Sequence, residues 1–176
     1  MSGKVSPEEL KKYVFSRTGK KDKNVKMGPK YGEDTAAINM GNKTLVINSD
    51  PIIYAAKRIG TLGVNIASND IAASGATPKW MTNVFFLPDK QEEKLDMITK
   101  QIDEEAKKLD ISIVGGHSEY VAEIKRPFVS MTCMGTTKKY IPSSNAEPGD
   151  YIILTKGAAV EGTGILATDF TEKLKK

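Results

Sequence analysis

The segment from residue 91 to residue 109 carries the clearest periodic pattern in the chain. Its apolar residues follow one another at steps of three, four, four and three, which places them on one face of an α-helix. These residues are Leu95, Ile98, Ile102, Ala106 and Leu109. Short apolar runs typical of buried strands lie on either side of this helix, at 80–87 and 111–114. A helix between two strands favours a fold in which helices pack on a sheet.

Elements of both kinds continue along the chain. Ser6, Pro7 and Glu9 have the spacing of a capping box with Pro at the first helical position, which predicts a first helix that ends near Gly19. The other segments are interpreted as a loop at 19–32, strands at 36–38, 44–49, 127–135 and 151–155, a helix at 54–75 and a turn-rich linker at 142–149. Gly115-Gly116 is expected to end the strand at 111–114. The order predicts an α+β or mixed α/β fold, with a sheet covered by helices on one face.

The counts of reactive residues exclude several kinds of site. A single cysteine, Cys133, rules out an internal disulfide and a multi-cysteine metal cluster, and a single histidine, His117, rules out a two-histidine metal site. Cys133 and Trp80 are interpreted as residues that pack in the core. Gly60 and Gly63 are interpreted as positions of close backbone packing. No apolar run reaches the roughly 18 residues of a membrane helix. We therefore expect a protein of the reducing cytoplasm with no membrane partner.

The positive charge is concentrated at the N-terminus. Residues 1–30 contain nine Lys or Arg and three Asp or Glu residues, a net charge of +6, whereas the remaining 146 residues carry −2. Two interpretations stay open: an arm that contacts phosphates, or a solvated and partly mobile leader. Since no arginine-rich stripe interleaves with aromatic residues, a nucleic-acid partner is not expected.

Carboxylates and glycines cluster near predicted strand and helix ends. They occur at Gly32-Glu33-Asp34, Ser49-Asp50-Pro51, Asn69-Asp70 and Gly115-Gly116-His117-Ser118-Glu119. Hard oxygen ligands suit Mg²⁺, glycine loops admit phosphate, and a carboxylate within an apolar helix needs a partner or a cation. Each piece also has a structural interpretation: a turn at Asp50-Pro51, a capped helix break at Asn69-Asp70, a plain turn at Gly115-Gly116 and a partnered structural histidine at His117.

Taken together, these segments resemble the N-terminal domain of the PurM-like, AIR synthase-related ATP-binding superfamily. The resemblance runs from about Gly28 to Phe170 and rests on YGEDTAAI (31–38), LVINSDPII (45–53), GVNIASNDIAASGATPKWMTNVFFLP (63–88), IVGGHSEY (113–120) and GDYIILTKGAAVEGTGILA (149–167). The Gly-Gly-His-Ser-Glu loop and the Thr-Lys-Gly segment look most like the HypE-related hydrogenase maturation proteins.

The resemblance implies ATP and Mg²⁺ as cofactors, together with a set of site residues. It places Mg²⁺ and the ATP phosphates on Asp34, Asp50 and Asp70. Gly32 would belong to a flexible phosphate-covering loop and Asn69 would flank the metal, while Gly115 and Gly116 would turn the chain near the nucleotide. His117 departs from the acidic residue usual in several branches, and Glu119 is the alternative carboxylate.

The resemblance also implies an activity and an organisation. In HypE-like enzymes ATP activates a carboxamide-type oxygen, and a cysteine-bound carboxamide is dehydrated to a thiocyanate for hydrogenase maturation. The alternatives are a purine-biosynthesis AIR or FGAM synthase-like ligase and a non-catalytic homodimerisation module. The expected partners are nucleotide, a second copy of the chain and hydrogenase maturation proteins. The dimer is expected because the strands at 44–53, 80–87 and 127–135 are rich in apolar residues on both faces.

Three regions are expected along the chain. Residues 1–30 form a basic helix and mobile loop, and residues 31–145 form the PurM-like N-terminal ATP-binding domain. Residues 146–176 form the beginning of a second α/β domain. Because relatives continue through that second domain and HypE ends in a reactive cysteine, the 176 residues are expected to be a fragment or a truncated relative.

Overall fold

A computed structural model describes residues 3–53, 55, 57–88 and 91–174. The strands are β1 (Val25–Met27), β2 (Ala36–Asn39), β3 (Thr44–Ile52), β4 (Thr77–Leu87), β5 (Ser112–Tyr120) and β6 (Phe128–Thr137). The helices are α1 (Pro7–Glu9), continued by a π-helical turn at Leu10–Val14, then α2 (Ile59–Ala73), α3 (Glu92–Lys108), α4 (Val160–Asp169) and α5 (Thr171–Leu174), with a 3₁₀ turn at Ser143–Asn145.

The six strands form one sheet in the order β1-β2-β3-β6-β4-β5. β4 and β5 pair in parallel, and every other neighbouring pair is antiparallel. Helix α2 packs on β3 and β6, and α3 packs on α2 and β5. The mixed α/β fold with helices on one face of the sheet is therefore confirmed.

The core lies between the sheet and the two long helices. Burial alternates along β4 and β6, with Met81, Phe85, Met131 and Cys133 buried on the helix side. Three of the five predicted face residues of α3, Ile98, Ile102 and Ala106, are buried against this layer, which confirms the helical pattern. Leu95 is half-buried, and Leu109, the C-cap residue, is 40% exposed. A side chain at Gly60 would place its Cβ 2.6 Å from the carbonyl oxygen of Ile98, so glycine allows α2 and α3 to approach closely.

The first helix begins as its capping box predicts. The backbone N–H of Glu9 donates to the Ser6 Oγ at 3.2 Å, and the backbone N–H of Ser6 donates to the Glu9 Oε2 at 3.2 Å. Helix α2 begins at Ile59, later than the predicted residue 54, and residues 54 and 56 lie outside the described part of the chain. Trp80, predicted to pack, is instead 39% exposed near the start of β4.

Several predicted element bounds are wrong. The first helix, predicted to end near Gly19, ends with its π-helical turn at Val14. The loop predicted at 19–32 contains β1, because its short run can pair with the exposed edge of β2. The strand at 111–114 does not end at Gly115-Gly116 but continues to Tyr120, since its backbone is held in register along β4. The strand predicted at 151–155 is absent: these residues are largely exposed, and no described strand pairs with them.

The sheet face opposite the helices is left open and has a mixed character. It carries apolar side chains such as Ile47 and Phe86 together with hydroxyl groups, among them Ser49 and Thr132, which are hydrogen-bonded to each other at 2.9 Å. The prediction of strands with apolar residues on both faces thus holds only in part. Within the described residues, no helix has the length and apolar character needed to cross a membrane.

Candidate functional site

The carboxamide of Asn48 joins three chain segments that each carry an aspartate. Its Nδ2 group donates to the Asp70 Oδ2 on α2 at 2.8 Å and to the Asp50 Oδ2 on β3 at 3.1 Å. The same group donates to the main-chain carbonyl oxygen of Asp34, just before β2, at 3.2 Å. Asn48 and Asp50 are two residues apart on β3, so both side chains point to the helix-covered face, where Asp70 meets them.

A buried hydroxyl network anchors two of these segments to each other. Thr35, next to Asp34, contacts the Ser74 Oγ at 2.9 Å and the Tyr140 hydroxyl at 3.2 Å. Ser74 is the C-terminal cap residue of α2, and its Oγ donates to the carbonyl oxygen of Asp70 at 2.9 Å. The turn carrying Asp34 and the end of the helix carrying Asp70 are therefore held together by side chains within the core.

The electrostatic environment disfavours the ionised form of Asp70. Burial raises the pKa of Asp70. The negative charge of Asp50 and a hydrogen bond between Asp50 and Asp70 raise it further, and the charge of Asp34 adds to the effect. Lys4 opposes these contributions, and the resulting pKa is about 7, against 3.8 for an ordinary aspartate. Carboxylates brought together at one place repel one another, and a cation would relieve that repulsion.

The donor set fits a magnesium ion that also binds phosphate. Asp50 and Asp70 supply two carboxylates, and the described residues contain no group of three or more His, Cys, Asp or Glu side chains arranged to hold a metal by themselves. Mg²⁺ usually takes one or two carboxylates and completes its shell with waters and substrate phosphates. The buried Asn48 Oδ1 lies at the same place and has no hydrogen-bond partner among the described residues. The site therefore contains a buried polar atom whose hydrogen-bonding capacity is unused.

The predicted phosphate loop lies beside this cluster and is fixed from one side. Gly32 has φ +85°, a left-handed conformation that favours glycine. The next residue, Glu33, accepts hydrogen bonds from the backbone N–H groups of Ser143 at 3.1 Å and Ser144 at 2.8 Å. Desolvation alone would raise the pKa of Glu33, but these hydrogen bonds and the charge of Lys30 outweigh it and lower the pKa. Glu33 thus ties the loop to the 3₁₀ turn.

The Gly-Gly-His-Ser-Glu segment lies elsewhere. His117 and Glu119 pair with Val84 and Phe86 in the register of β5 on β4, and these residues belong to the open face of the sheet. The His117 Nε2 and Glu119 Oε2 are 3.1 Å apart, both side chains are exposed, and the His117 ring lies edge-on to Phe86. Within this chain, the structure does not bring His117 or Glu119 to the aspartate cluster.

The two glycines of this segment have different surroundings. A Cβ at Gly116 would lie 1.8 Å from the carbonyl oxygen of Asn83, so Gly116 is required for the close approach of β5 to β4. A Cβ at Gly115 would meet no atom within 4 Å. Packing therefore accounts for Gly116, whereas the space beside the Cα of Gly115 is open.

Asn69 also lies apart from the aspartate cluster. It is exposed and lines a cavity of about 450 Å³ between α2 and α4, together with Arg58, Asn65, Lys156 and Glu161. Asp70, its neighbour, points to the sheet instead. The adjacent pair Asn69-Asp70 therefore serves two different surfaces of α2.

Asn48 and Thr35 are the residues of this site that the sequence reasoning did not single out. A signal for Asn48 is present in the alternation of β3, because Asn48 follows buried Val46 at a spacing of two, and a buried amide must have partners. Lys4, whose charge acts on Asp70, carries no signal in the local sequence, since it reaches the site through the tertiary fold.

Comparisons with known proteins cover this part of the chain. The family "AIR synthase related protein, N-terminal domain" matches residues 32–137. A Methanocaldococcus jannaschii protein assigned to hydrogenase expression and formation is 28% identical over 185 residues, covering 98% of this chain and 55% of the relative. The chain spans about half the length of the curated relatives that it matches.

Two solved structures are similar to the fold. A chain of the HypE–HypF complex has a TM-score of 0.56 and 30% identity, with 66% of this chain and 41% of that chain covered. ThiL complexed with AMPPCP and TMP has a TM-score of 0.61 and 21% identity, with 68% of this chain and 40% of that chain covered, which supports the fold alone. Because the family match spans more than half of the residues, this chain belongs to the AIR synthase related protein family and contains its N-terminal domain.

Proposed function

We propose that the chain is the Mg·ATP-binding part of a HypE-like enzyme. The observation that carries the proposal is the joining of Asp34, Asp50 and Asp70 by one buried carboxamide, inside the segment that matches the family. The hydrogenase-related relative and the HypE structure support it by similarity.

In this proposal the side chains have separate roles. Asp50 and Asp70 hold Mg²⁺, and Asp34 contributes negative charge beside them. Gly32 gives the covering loop its turn. Gly115, His117 and Glu119 on β5, and Asn69 at the cavity between α2 and α4, lie apart from the aspartates in this chain and take no part in holding Mg²⁺. Mg²⁺, when bound, neutralises phosphate charge, and the aspartates fix its position.

The proposed reaction follows from the use of ATP to activate an oxygen. The carboxamide oxygen of a cysteine-bound substrate attacks the γ-phosphorus, and ADP leaves. The nitrogen gives up one proton as the phosphorylated intermediate forms. Loss of phosphate together with the second nitrogen proton then gives the thiocyanate, so that one ATP and the substrate yield ADP, phosphate and product. The contribution of the chain is positioning and charge neutralisation, as in other phosphoryl transfers. Hydrogenase maturation proteins are the expected partners of this enzyme.

The runner-up is a purine-biosynthesis ligase of the AIR or FGAM synthase type. It activates an amide oxygen in the same way, so nucleotide binding cannot distinguish the two. Turnover of formylglycinamidine ribonucleotide by the chain, or by a longer protein that contains it, would favour the purine ligase over the HypE-like enzyme.

We also propose a homodimer that uses the open face of the sheet. That face carries half-buried apolar side chains such as Ile47, Val84 and Phe86, which a second copy would cover. A monomer mass of 19.2 kDa by light scattering at tens of micromolar would refute the dimer. A dimer that binds no nucleotide would favour the non-catalytic homodimerisation module.

The proposed organisation assigns residues 31–145 to the ATP-binding domain and residues 146–176 to the beginning of a second α/β domain. The exposed apolar residues Tyr151, Ile152 and Ile153 support this, since they are 95%, 99% and 84% exposed and have the character of a strand that requires neighbours.

Calorimetric titration with Mg·ATP tests the proposed function. We expect saturable binding that weakens when Mg²⁺ is chelated. As a control, Lys107→Ala removes an exposed ion pair on α3 and should leave the binding unchanged. Absence of binding at millimolar Mg·ATP, both by this chain and by a longer protein containing it, would refute the proposal.

A further inference from the structure

Asn48 has an unusual place for an amide side chain. It is 5% exposed, in the middle of a strand, on the face that packs against α2. The two hydrogens of its Nδ2 group are shared among three acceptors on three chain segments, namely the carboxylates of Asp50 and Asp70 and the main-chain oxygen of Asp34. Its Oδ1 has no hydrogen-bond partner among the residues that the structure describes.

The three acceptors fix the orientation of the amide. A flipped carboxamide would point Oδ1 at two carboxylates and a carbonyl oxygen, all of which are acceptors, and would lose every one of these hydrogen bonds. The orientation that places Nδ2 on the aspartates leaves Oδ1 without a donor. Among the described residues, Asn48 Oδ1 is therefore an unsatisfied buried acceptor, which is unfavourable for stability, at the place where the aspartate segments meet.

The same geometry has a consequence for the aspartates. When both are ionised, Asp50 and Asp70 repel each other, so a common hydrogen-bond donor favours the arrangement in which the two carboxylates lie together. Asn48 offers each of them one N–H and so holds both carboxylates on one side of the strand. Hydrogen bonds to charged groups are stronger than those between neutral groups, so this arrangement limits the freedom of both side chains.

We infer that Asn48 is a positioning residue, whose carboxamide keeps the Asp50 and Asp70 carboxylates together so that one divalent cation can bind both. The inference rests on the proposed function and adds a residue to it. Asn48 itself is not a cation ligand in this arrangement, because its donor group faces the aspartates. Partners of this kind behind metal-binding carboxylates typically contribute about 10- to 100-fold to metal affinity.

The test separates the magnesium-dependent part of nucleotide binding from the rest. ATP affinity is measured by calorimetry with Mg²⁺ and with a chelator. The quantity compared among variants is the Kd for ATP with chelator divided by the Kd for ATP with Mg²⁺. Asn48→Ala should reduce this ratio by about 10-fold or more. Asn48→Thr keeps one hydroxyl donor and should give an intermediate ratio, and it decides the matter if Asn48→Ala does not fold.

Asn83→Ala is the matched control. Asn83 is also a buried asparagine on the helix-covered face, 9% exposed on β4, and no hydrogen bond joins it to the three aspartates. The ratio of the two dissociation constants for Asn83→Ala should equal that of the wild type, even if the melting temperature of the variant is lower.

The outcomes are distinguishable. If folded Asn48→Ala keeps the wild-type ratio, or if Asn83→Ala loses it to the same extent, the inference is overturned while the proposed function stands. If the wild-type chain binds ATP equally well with Mg²⁺ and with chelator, the magnesium part of the proposed function fails and the inference fails with it.

Discussion

Replacing Asp70 with asparagine should stabilise the nucleotide-free chain and remove its response to Mg·ATP. Asparagine keeps the shape and an oxygen that can accept the Asn48 hydrogen bond, but it removes the negative charge. In the folded chain the pKa of Asp70 is about 7, raised by burial and by the charges of Asp50 and Asp34, against 3.8 for an ordinary aspartate.

The size of the effect follows from this difference in pKa. Between pH 3.8 and about 7 the folded chain holds a proton that the unfolded chain has lost, so Asp70 lowers the folding stability progressively as pH rises through this window. Without screening, the ionised form would cost about 4 kcal/mol above this range. Since Asp70 is only half-buried, we expect about 1–2 kcal/mol after solvent screening.

Thermal melts of the two proteins measure this difference. For a chain of this size, about 1–2 kcal/mol corresponds to a rise in Tm of about 2–8 °C in Asp70→Asn at about pH 8, and the rise should vanish at about pH 4. Mg·ATP at about 100 times its Kd should stabilise the wild type by about 2.7 kcal/mol, and this shift should be largely lost in the variant.

The opposite result would identify a structural residue. If Asp70 serves only as a structural residue, Asp70→Asn should not raise the stability at about pH 8 and should leave the Mg·ATP shift intact, because asparagine and aspartate are similar capping residues. A destabilised variant with an intact ligand shift would therefore refute the reasoning on the cation site.

Three further predictions concern packing around the site. Gly116→Ala should destabilise the chain by about 1–3 kcal/mol more than Gly115→Ala in denaturant unfolding, because only the first clashes with β4; equal losses would contradict this. Thr35→Val should cost about 0.5–1.5 kcal/mol by removing the hydroxyl that contacts Ser74 and Tyr140, while Ser74 keeps its hydrogen bond to Asp70; a neutral change, measured by urea denaturation, would exclude the proposed anchoring. Burial raises the pKa of Cys133 to about 11, so Ellman's reagent should react with it only in denaturant.

The sequence was most informative where one periodic pattern dominated. The apolar face of α3 and the capping box of α1 were predictable because both depend on local spacing. The length of β5 was not predictable, because Gly115 and Gly116 usually interrupt a strand, and only the pairing with β4 shows that this edge strand continues through them. The predicted strand at 151–155 has the right composition, but a strand also needs a neighbour, which local sequence cannot supply.

The candidate site divides in the same way. Asp34 stood out as a carboxylate close to a glycine, Asp50 as one at the end of a strand and Asp70 as one within an apolar helix, and the fold does join their segments. Their link through Asn48 depends on the depth of a strand residue and on the packing of α2, which the local pattern of residues does not specify. His117 and Glu119 were grouped with the aspartates by sequence. The alternation of side chains along β5 places both of them on the opposite face of the sheet.

The side-chain amide signal of Asn48 in a nitrogen-15 NMR spectrum tests the central claim most directly. If Mg·ATP binds at the aspartates, titration with Mg·ATP should shift this signal together with the backbone amide of Asp70, and substoichiometric Mn²⁺ with ATP should broaden both. The amides of Lys107 and Lys108, exposed at the end of α3, should not change. Saturable ATP binding that leaves the Asn48 signal unshifted and unbroadened would contradict a cation site between β3 and α2.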